Sequence, residues 1–253
     1  MENDDLPVGR ILSRREVIAL LGVGGAGLLG AWRVPGGHAP ALTSAPGWPG
    51  GVPACVVRPA QTEGPYFVDE HLNRTDIRSD PASGAIRPGA ALDLEFRVAR
   101  VTTGSCAPLA GAIVDLWHCD ALGVYSDVKD MSGKFDTRGQ KFLRGHQLTD
   151  ASGIARFHTV YPGWYEGRTV HLHVKIRTPA GTGGSHEFTS QLYFDDAVTD
   201  TVFAREPYKN QGVREMRNNR DGIFSEGGKR LLIDVTPAGN GYTGTFEIGL
   251  QMA

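Results

Sequence analysis

Residues 91 to 98 alternate strictly, with Leu92, Leu94, Phe96 and Val98 on one side and Asp93, Glu95 and Arg97 on the other. A period of two with one apolar side predicts a half-buried β-strand. Ala112 to His118 predicts a second strand, Ile154 to Val160 a third, Val170 to Arg177 a fourth and Phe188 to Phe194 a fifth. Lys229 to Val235 and Tyr242 to Leu250 close the series, the last alternating again through Phe246 and Ile248. Between them, residues 69 to 90 and 119 to 140 are polar, broken by Pro and Gly, and without a period, so both read as loops. Residues 201 to 222 are also polar, with one short helix expected over Val213 to Asn218. There is no internal repeat and no shift in composition after residue 55. The pattern predicts one all-β domain over residues 46–253, an antiparallel β-sandwich with long loops and little helix.

The first 45 residues read differently. Ser13-Arg14-Arg15-Glu16 sets a twin arginine ahead of an apolar run from Val17 to Leu29. That run is short and broken by glycine, which suits a membrane span poorly. Ala39-Pro40-Ala41 offers the small residues of a cleavage site. The stretch predicts a twin-arginine export signal, with an uncleaved N-terminal anchor as the alternative. Residues 42 to 54 form a Pro/Gly/Ser-rich lead-in. The expected location is extracellular, periplasmic or at the cell envelope, with no stable membrane span in the mature chain.

Composition narrows the class. The 253 residues are 40% hydrophobic, enough for a substantial core, and 34 Gly with 15 Pro favour a turn-rich β architecture. Net charge is −2 and no basic stripe appears, which points away from nucleic acid as a partner. The three cysteines, Cys55, Cys106 and Cys119, include no CxxC and no Cys/His cluster, against a structural zinc site. An odd count in an exported chain suggests one disulfide and one free thiol. Cys55 and Cys106, each ahead of an apparent core strand, are the expected pair, leaving Cys119 as a buried small hydrophobe.

The densest chemistry lies in residues 157 to 174, FHTVYPGWYEGRTVHLHV. Residues two apart on a strand share a face, so His171 and His173 would present two imidazoles side by side while Leu172 turns into the core. Neutral imidazole is the commonest side-chain metal ligand. The PGWYEG turn would swing Tyr165 back toward that pair. Taken singly, each feature is ordinary: an HxH in a strand, a turn tyrosine, a surface arginine.

A second segment, AIVDLWHCDALGVYSD from Ala112 to Asp127, changes the weight of the first. Together with RGHQLTDASG, PGWY, the R-x-x-H-x-H run and SQLYF, it resembles the intradiol ring-cleavage dioxygenases. The resemblance runs from about Cys55 to Phe246. Members of that family are non-haem iron(III) enzymes that open catechols between the two hydroxyls. The resemblance implies Fe(3+) as cofactor, with Tyr125, Tyr165, His171 and His173 as its ligands. It implies Arg168 as the group that stabilises negative charge on bound substrate, and Gln191 as a pocket residue near the substrate ring. It also implies Tyr165 as a ligand that leaves the metal and takes a proton from the catechol.

The donor set is chemically coherent with that implication. A tyrosine ionises near pH 10 unless it lies beside a strong Lewis acid, and two phenolates suit a hard ferric ion. No Asp or Glu stands near the HxH at the spacing a two-His-one-carboxylate ferrous site needs. Tyr161 reads as core or pocket wall, and Tyr66 and Glu63 as candidates for the pocket mouth. His118, His146, His158 and His186 read as ordinary strand or loop histidines. Only five residues separate Tyr165 from His171, fewer than in the cytoplasmic catechol enzymes. The chain also shows no helical dimerisation segment of their kind. Both features resemble the exported branch of the family and imply an open pocket and a bulky or substituted catechol, with O2 as co-substrate. Two alternatives stay open: a non-catalytic β-sandwich module that binds a carbohydrate or aromatic ligand, and a copper or zinc enzyme on the same ligands. Oligomeric state is not legible.

Overall fold

The period-two segments fold as strands, as the computed structural model of the chain describes over residues 55–178 and 185–252. The twin-arginine stretch and the lead-in up to residue 54 lie outside the described residues. In order, the strands are β1 (Ala91–Thr102), β2 (Ser105–Pro108), β3 (Ile113–Trp117), β4 (Arg144–Leu148), β5 (Ile154–Val160), β6 (His171–Arg177) and β7 (Glu187–Tyr193), then β8 (Asp234–Ala238) and β9 (Gly241–Gln251). They form two sheets. One has the order β2-β1-β9-β8 with β5 also paired to β1, and the other has the order β4-β3-β6-β7. The core between them takes Leu92, Leu94, Phe96 and Val98 from β1, Val114 and Leu116 from β3, and Leu172, Val174 and Ile176 from β6. The expected β-sandwich is therefore present.

Three details differ from the expectation. Every paired neighbour is antiparallel except β1 and β9, which run parallel from Leu92 opposite Tyr242 to Val101 opposite Gln251. Local alternation fixes which face a residue takes but not which strand it pairs with. The helix expected at Val213 to Asn218 does not form. Its Arg214 is buried and reaches Asp196 and Asp200 at 2.5 and 2.9 Å. The helix stands instead at α1 (Asp196–Phe203), capped by the Asp195 carboxylate accepting from the Ala197 N–H. Lys229 and Arg230 lie in a 3₁₀ turn, so β8 begins only at Asp234.

β6 is buried on both faces, with only Arg177 partly exposed. Its second face is covered by the segment from Pro59 to Asp69. Gln61 N–H donates to Thr189 O at 3.1 Å, Gln191 Nε2 to Thr62 O at 3.0 Å, and Arg177 pairs with Asp69 at 2.7 Å. This arm starts at the Cys55–Cys106 disulfide, the pairing expected from the sequence. Cys106 lies within β2 rather than ahead of it, and Cys119 is free and buried.

Phe96 sits at the centre of the core, edge-on to Phe157 at 5.8 Å and to Phe246 at 6.4 Å. Truncating it removes ring contacts on both sides and leaves a cavity. Phe96→Ala should cost about 3–5 kcal/mol, measured as a drop in the urea midpoint at unchanged slope.

Candidate metal centre

The centre is built on the covered face of β6. His171 and His173 point to that face, two residues apart, with Leu172 turned into the core. His171 Nδ1–H donates to Thr169 O at 2.6 Å, which leaves its Nε2 lone pair free. His171 Nε2 and His173 Nε2 are 3.2 Å apart. Tyr165 Oη lies 3.0 Å from His171 Nε2, and Tyr125 Oη lies 3.1 Å from His173 Nε2.

The tyrosines arrive on two loops that lock against each other. After β3, the Asp120 carboxylate accepts from the N–H groups of Leu122 and Val124, and Gly123 closes the turn at φ 81°. A Cβ on Gly123 would meet the carbonyl of Trp164 at 2.3 Å, and one on Gly163 would meet that of Ala121 at 2.5 Å. These two glycines thus let the Tyr125 and Tyr165 loops touch backbone to backbone. Tyr125 is held tightly from there. Its carbonyl accepts from Thr137 Oγ1 at 2.6 Å, and the next carbonyl, Ser126 O, accepts from Arg144 at 2.6 and 3.1 Å. Arg144 also donates to Tyr66 O at 2.6 Å, and the Tyr66 ring packs on Tyr125 at 4.9 Å. The Arg144 guanidinium is buried, which pulls its pKa down to about 10.

The two imidazoles are supported by different means. His171 has its hydrogen bond to Thr169. His173 Nδ1 is buried with no hydrogen-bond partner among the described residues. Its ring is instead stacked on Trp117, at 5.0 Å and 11° between planes, while Gly64 closes the other side. Gly64 has φ 76°, and a Cβ there would lie 3.2 Å from His173 Cε1.

Arg168 and Gln191 flank this cluster. Arg168 Nη2 donates to Gln191 Oε1 at 2.5 Å, and Arg168 Nε donates to Asp221 Oδ2 at 2.9 Å. Gln191 is buried and pairs with His173 across β6 and β7. All six residues singled out from the sequence thus lie in one connected cluster. Tyr161 is core, hydrogen-bonded to Thr199 and packed on Phe194 at 4.3 Å. Glu63 is paired with the buried Lys175. The Tyr66 hydroxyl donates to Asp130 at 2.7 Å, and burial together with that carboxylate pushes its pKa up to about 12. His118, expected as an ordinary histidine, is fully buried between Cys119 O and Thr159 Oγ1. Asp221, Arg144, Thr137 and Trp117 were not singled out for the site. Only tertiary contact identifies them.

Burial sets the electrostatics. It drives the Tyr125 phenol well above its ordinary pKa and raises that of Tyr165. It lowers His171 to about 3 and His173 well below 6.5, with Arg168 and, for His173, His171 adding repulsion. Four neutral donors therefore face one another, and only a bound cation would favour the ionised phenols. Donor atoms that share a cation at about 2 Å stand roughly 3 Å apart, which is the spacing observed. Among the described residues no three His, Cys, Asp or Glu side chains form a metal site. A metal centre on this histidine pair consequently needs the phenols, a hard donor set that suits ferric iron better than copper or zinc.

Comparison with known proteins identifies the family and the fold. A family model described as "Dioxygenase" matches residues 62–231. An intradiol ring-cleavage dioxygenase from Tetranychus urticae superposes with a TM-score of 0.65 at 29% identity, covering 78% of this chain and 95% of that one. The dioxygenase domain of a dioxygenase–carbohydrate-binding fusion from Streptomyces sp. SirexAA-E gives a TM-score of 0.55 at 33% identity, covering 78% of this chain and 100% of that one. Catechol 1,2-dioxygenase 2 of Acinetobacter lwoffii is 28% identical over 164 residues, 58% of this chain and 52% of that protein. The chain spans about a third to a half of the length of the curated relatives it matches.

Two outcomes are expected. Gly64→Ala forces a side chain at positive φ against the one imidazole that lacks a hydrogen-bond anchor. Metal affinity should fall about 10–100-fold, read by equilibrium dialysis, with secondary structure unchanged by circular dichroism. The second concerns pH. His118, lowered to about 4, and His171 and His173 are all neutral when folded. On unfolding they take up protons below about pH 6.5. The unfolded state then binds more protons, so the metal-free protein should lose stability as pH falls from about 6.5 toward 4. Urea midpoints at intervals across that window measure it, and a flat midpoint would contradict it.

Proposed function

Because the chain belongs to the intradiol ring-cleavage dioxygenase family, we propose that Tyr125, Tyr165, His171 and His173 hold a ferric ion. We further propose that the protein cleaves a catechol-type ring between its two hydroxyl-bearing carbons, with both atoms of O2 entering a cis,cis-muconate-type diacid. The observation that carries this reading is the convergence of two phenol oxygens and two imidazole nitrogens at 3.0–3.2 Å. Bound there, ferric iron would supply a Lewis acid that two catechol oxygens could chelate and that would make the ring reactive toward O2.

The chain's own residues have separable tasks. Tyr125, gripped by Thr137 and Arg144, and the two histidines of β6 form the fixed side of the site. Tyr165 sits on an exposed turn with Glu166 and Gly167 and is itself only partly buried. Held as the phenolate by a bound cation, its Oη would accept one proton of an incoming catechol, the other leaving to solvent, and the turn would let the ring swing away with it. Arg168 has Nε and Nη2 committed to Asp221 and Gln191, leaving Nη1 without a protein partner among the described residues. We assign that nitrogen the stabilisation of negative charge on a substrate oxygen. Burial of Tyr125, His171, His173 and Gln191 keeps bulk water from the inner wall. The short Tyr165–His171 connection supports an open outer side and, with it, a bulky or substituted catechol. The twin arginine at Arg14 and Arg15 extends the proposal to an exported enzyme.

The test is a visible absorption spectrum of iron-loaded protein, before and after catechol is added without oxygen. A broad phenolate-to-iron(III) band should appear, shift to longer wavelength with catechol, and be lost or strongly displaced in Tyr125→Phe. Oxygenated assays on a catechol panel should then give ring-cleaved diacids, with substituted catechols preferred. A protein that stays colourless after ferric reconstitution would leave the binding module as the better account. Strict preference for unsubstituted catechol would remove the open-pocket argument.

A further inference from the structure

Asp221 lies 53 residues beyond Arg168 in sequence, in the polar segment between α1 and β8. Its carboxylate is 1% exposed, and burying such a charge is costly unless it is paired and hydrogen-bonded. Three donors meet it. Oδ2 accepts from Arg168 Nε at 2.9 Å and from Thr169 N–H at 2.8 Å, and Oδ1 accepts from Phe224 N–H at 2.9 Å. Capping the short turn Gly222–Ser225 needs only one of those oxygens. The other is aimed at the guanidinium. With Gln191 holding Nη2 from β7, the guanidinium plane is fixed from two separate elements. The neighbouring Asn218 holds Thr169 independently, accepting from its Oγ1 at 2.7 Å while donating to Phe194 O at 2.8 Å. Thr169 O is the acceptor for His171 Nδ1–H.

We propose that Asp221 is a positioning residue for the ring-cleavage reaction, fixing the Arg168 guanidinium toward the substrate, while the Asn218 bond gives Thr169, and through it His171, a second hold beside the one from Asp221. This inference rests on the ring-cleavage reading. The division of labour is its content: removing the Asp221 charge disturbs Arg168 and leaves the ligand set loaded.

The experiment compares iron-loaded wild type, Asp221→Asn, Arg168→Gln and the double variant. Readouts are iron per chain, the substrate-free spectrum, and the anaerobic dissociation constant and steady-state kinetics with the member of the catechol panel that wild type turns over best. Wild-type turnover comes first, because its absence defeats the ring-cleavage reading as a whole. Given turnover, Asp221→Asn should retain iron and its spectrum and lose about 10–100-fold in kcat/KM, the size of a lost charge-assisted hydrogen bond. The double variant should be no worse than Arg168→Gln within about 2–3-fold, since the two act as one unit. Wild-type kinetics in Asp221→Asn, losses that multiply in the double variant, or iron lost in step with activity would each overturn the assignment and leave Asp221 a structural cap. Should Asp221→Asn not fold, Asp221→Glu keeps the charge but displaces it by one methylene. It should keep iron and lose about 10-fold in kcat/KM, and unaltered turnover in that variant would likewise overturn the proposal.

Discussion

Strand β6 has to bury both of its faces, and the site follows from how the second one is satisfied. Leu172, Val174 and Ile176 meet the core, so the alternate positions His171, His173, Lys175 and Arg177 all turn toward the Pro59–Asp69 arm. Four polar side chains on one covered face require partners. Lys175 has Glu63 and Glu187, and Arg177 has Asp69 and Asp115. The two histidines have no carboxylate. They meet each other and two phenols, a neutral cluster in which burial opposes charge on every member. The same strand thus carries two satisfied ion-pair networks and, next to them, one group of donors that a cation would complete.

The arm is consequently part of the site and not only a cover. It is tied at its start by the disulfide to β2 and continues as a parallel bridge from Val57 to Gly249. It then passes Gln61, Thr62 and Gly64 across β7 and β6 before delivering Tyr66 to Tyr125 and Phe67 to Trp117. The Trp117 ring that receives Phe67 is the ring on which His173 stacks. One imidazole therefore depends on aromatic packing that the arm completes, and the other on a backbone carbonyl held by the segment at Asn218 and Asp221. Different parts of the chain answer for the two ligands.

What the sequence disclosed follows the same physics. Alternation gave β1, β5, β6 and β9 because each has one face in the core and a face of different character outside. It missed β4, Arg144 to Leu148, whose residues carry no apolar period because its edge and faces are served by Asn73, Arg74 and Ile77. It placed a helix at Val213 to Asn218, where the deciding fact is a long-range one: Arg214 is drawn out to the carboxylates of α1. The histidine pair was legible since a spacing of two is a local property. Tyr125 and Gln191 became candidates only through resemblance, being distant in sequence from β6. Arg144 entered only as part of the RGHQLTDASG motif, and nothing local marked Asp221; in the structure one is a strand residue and the other a helix cap.

The ring-cleavage reading asks opposite things of the two tyrosines, and the chain builds them differently. Tyr125 is fully buried, with hydrogen bonds on its own carbonyl and the next one, a tilted ring contact with Tyr66, and a buried guanidinium that bonds both Ser126 O and Tyr66 O. Moving it would break several interactions at once. Tyr165 follows a backbone contact at Trp164 and Gly163 but leads into exposed Glu166 and Gly167, whose only outward tie is the surface pair of Glu166 with Lys134. Such a fully exposed pair contributes little. A ligand that must stay is thus set in the stiff part of the loop cluster, and a ligand that must leave with a proton is set beside its most yielding turn. The difference arises before any substrate is present, from hydrogen bonds at Tyr125 and the lack of comparable ones at Glu166 and Gly167 among the described residues.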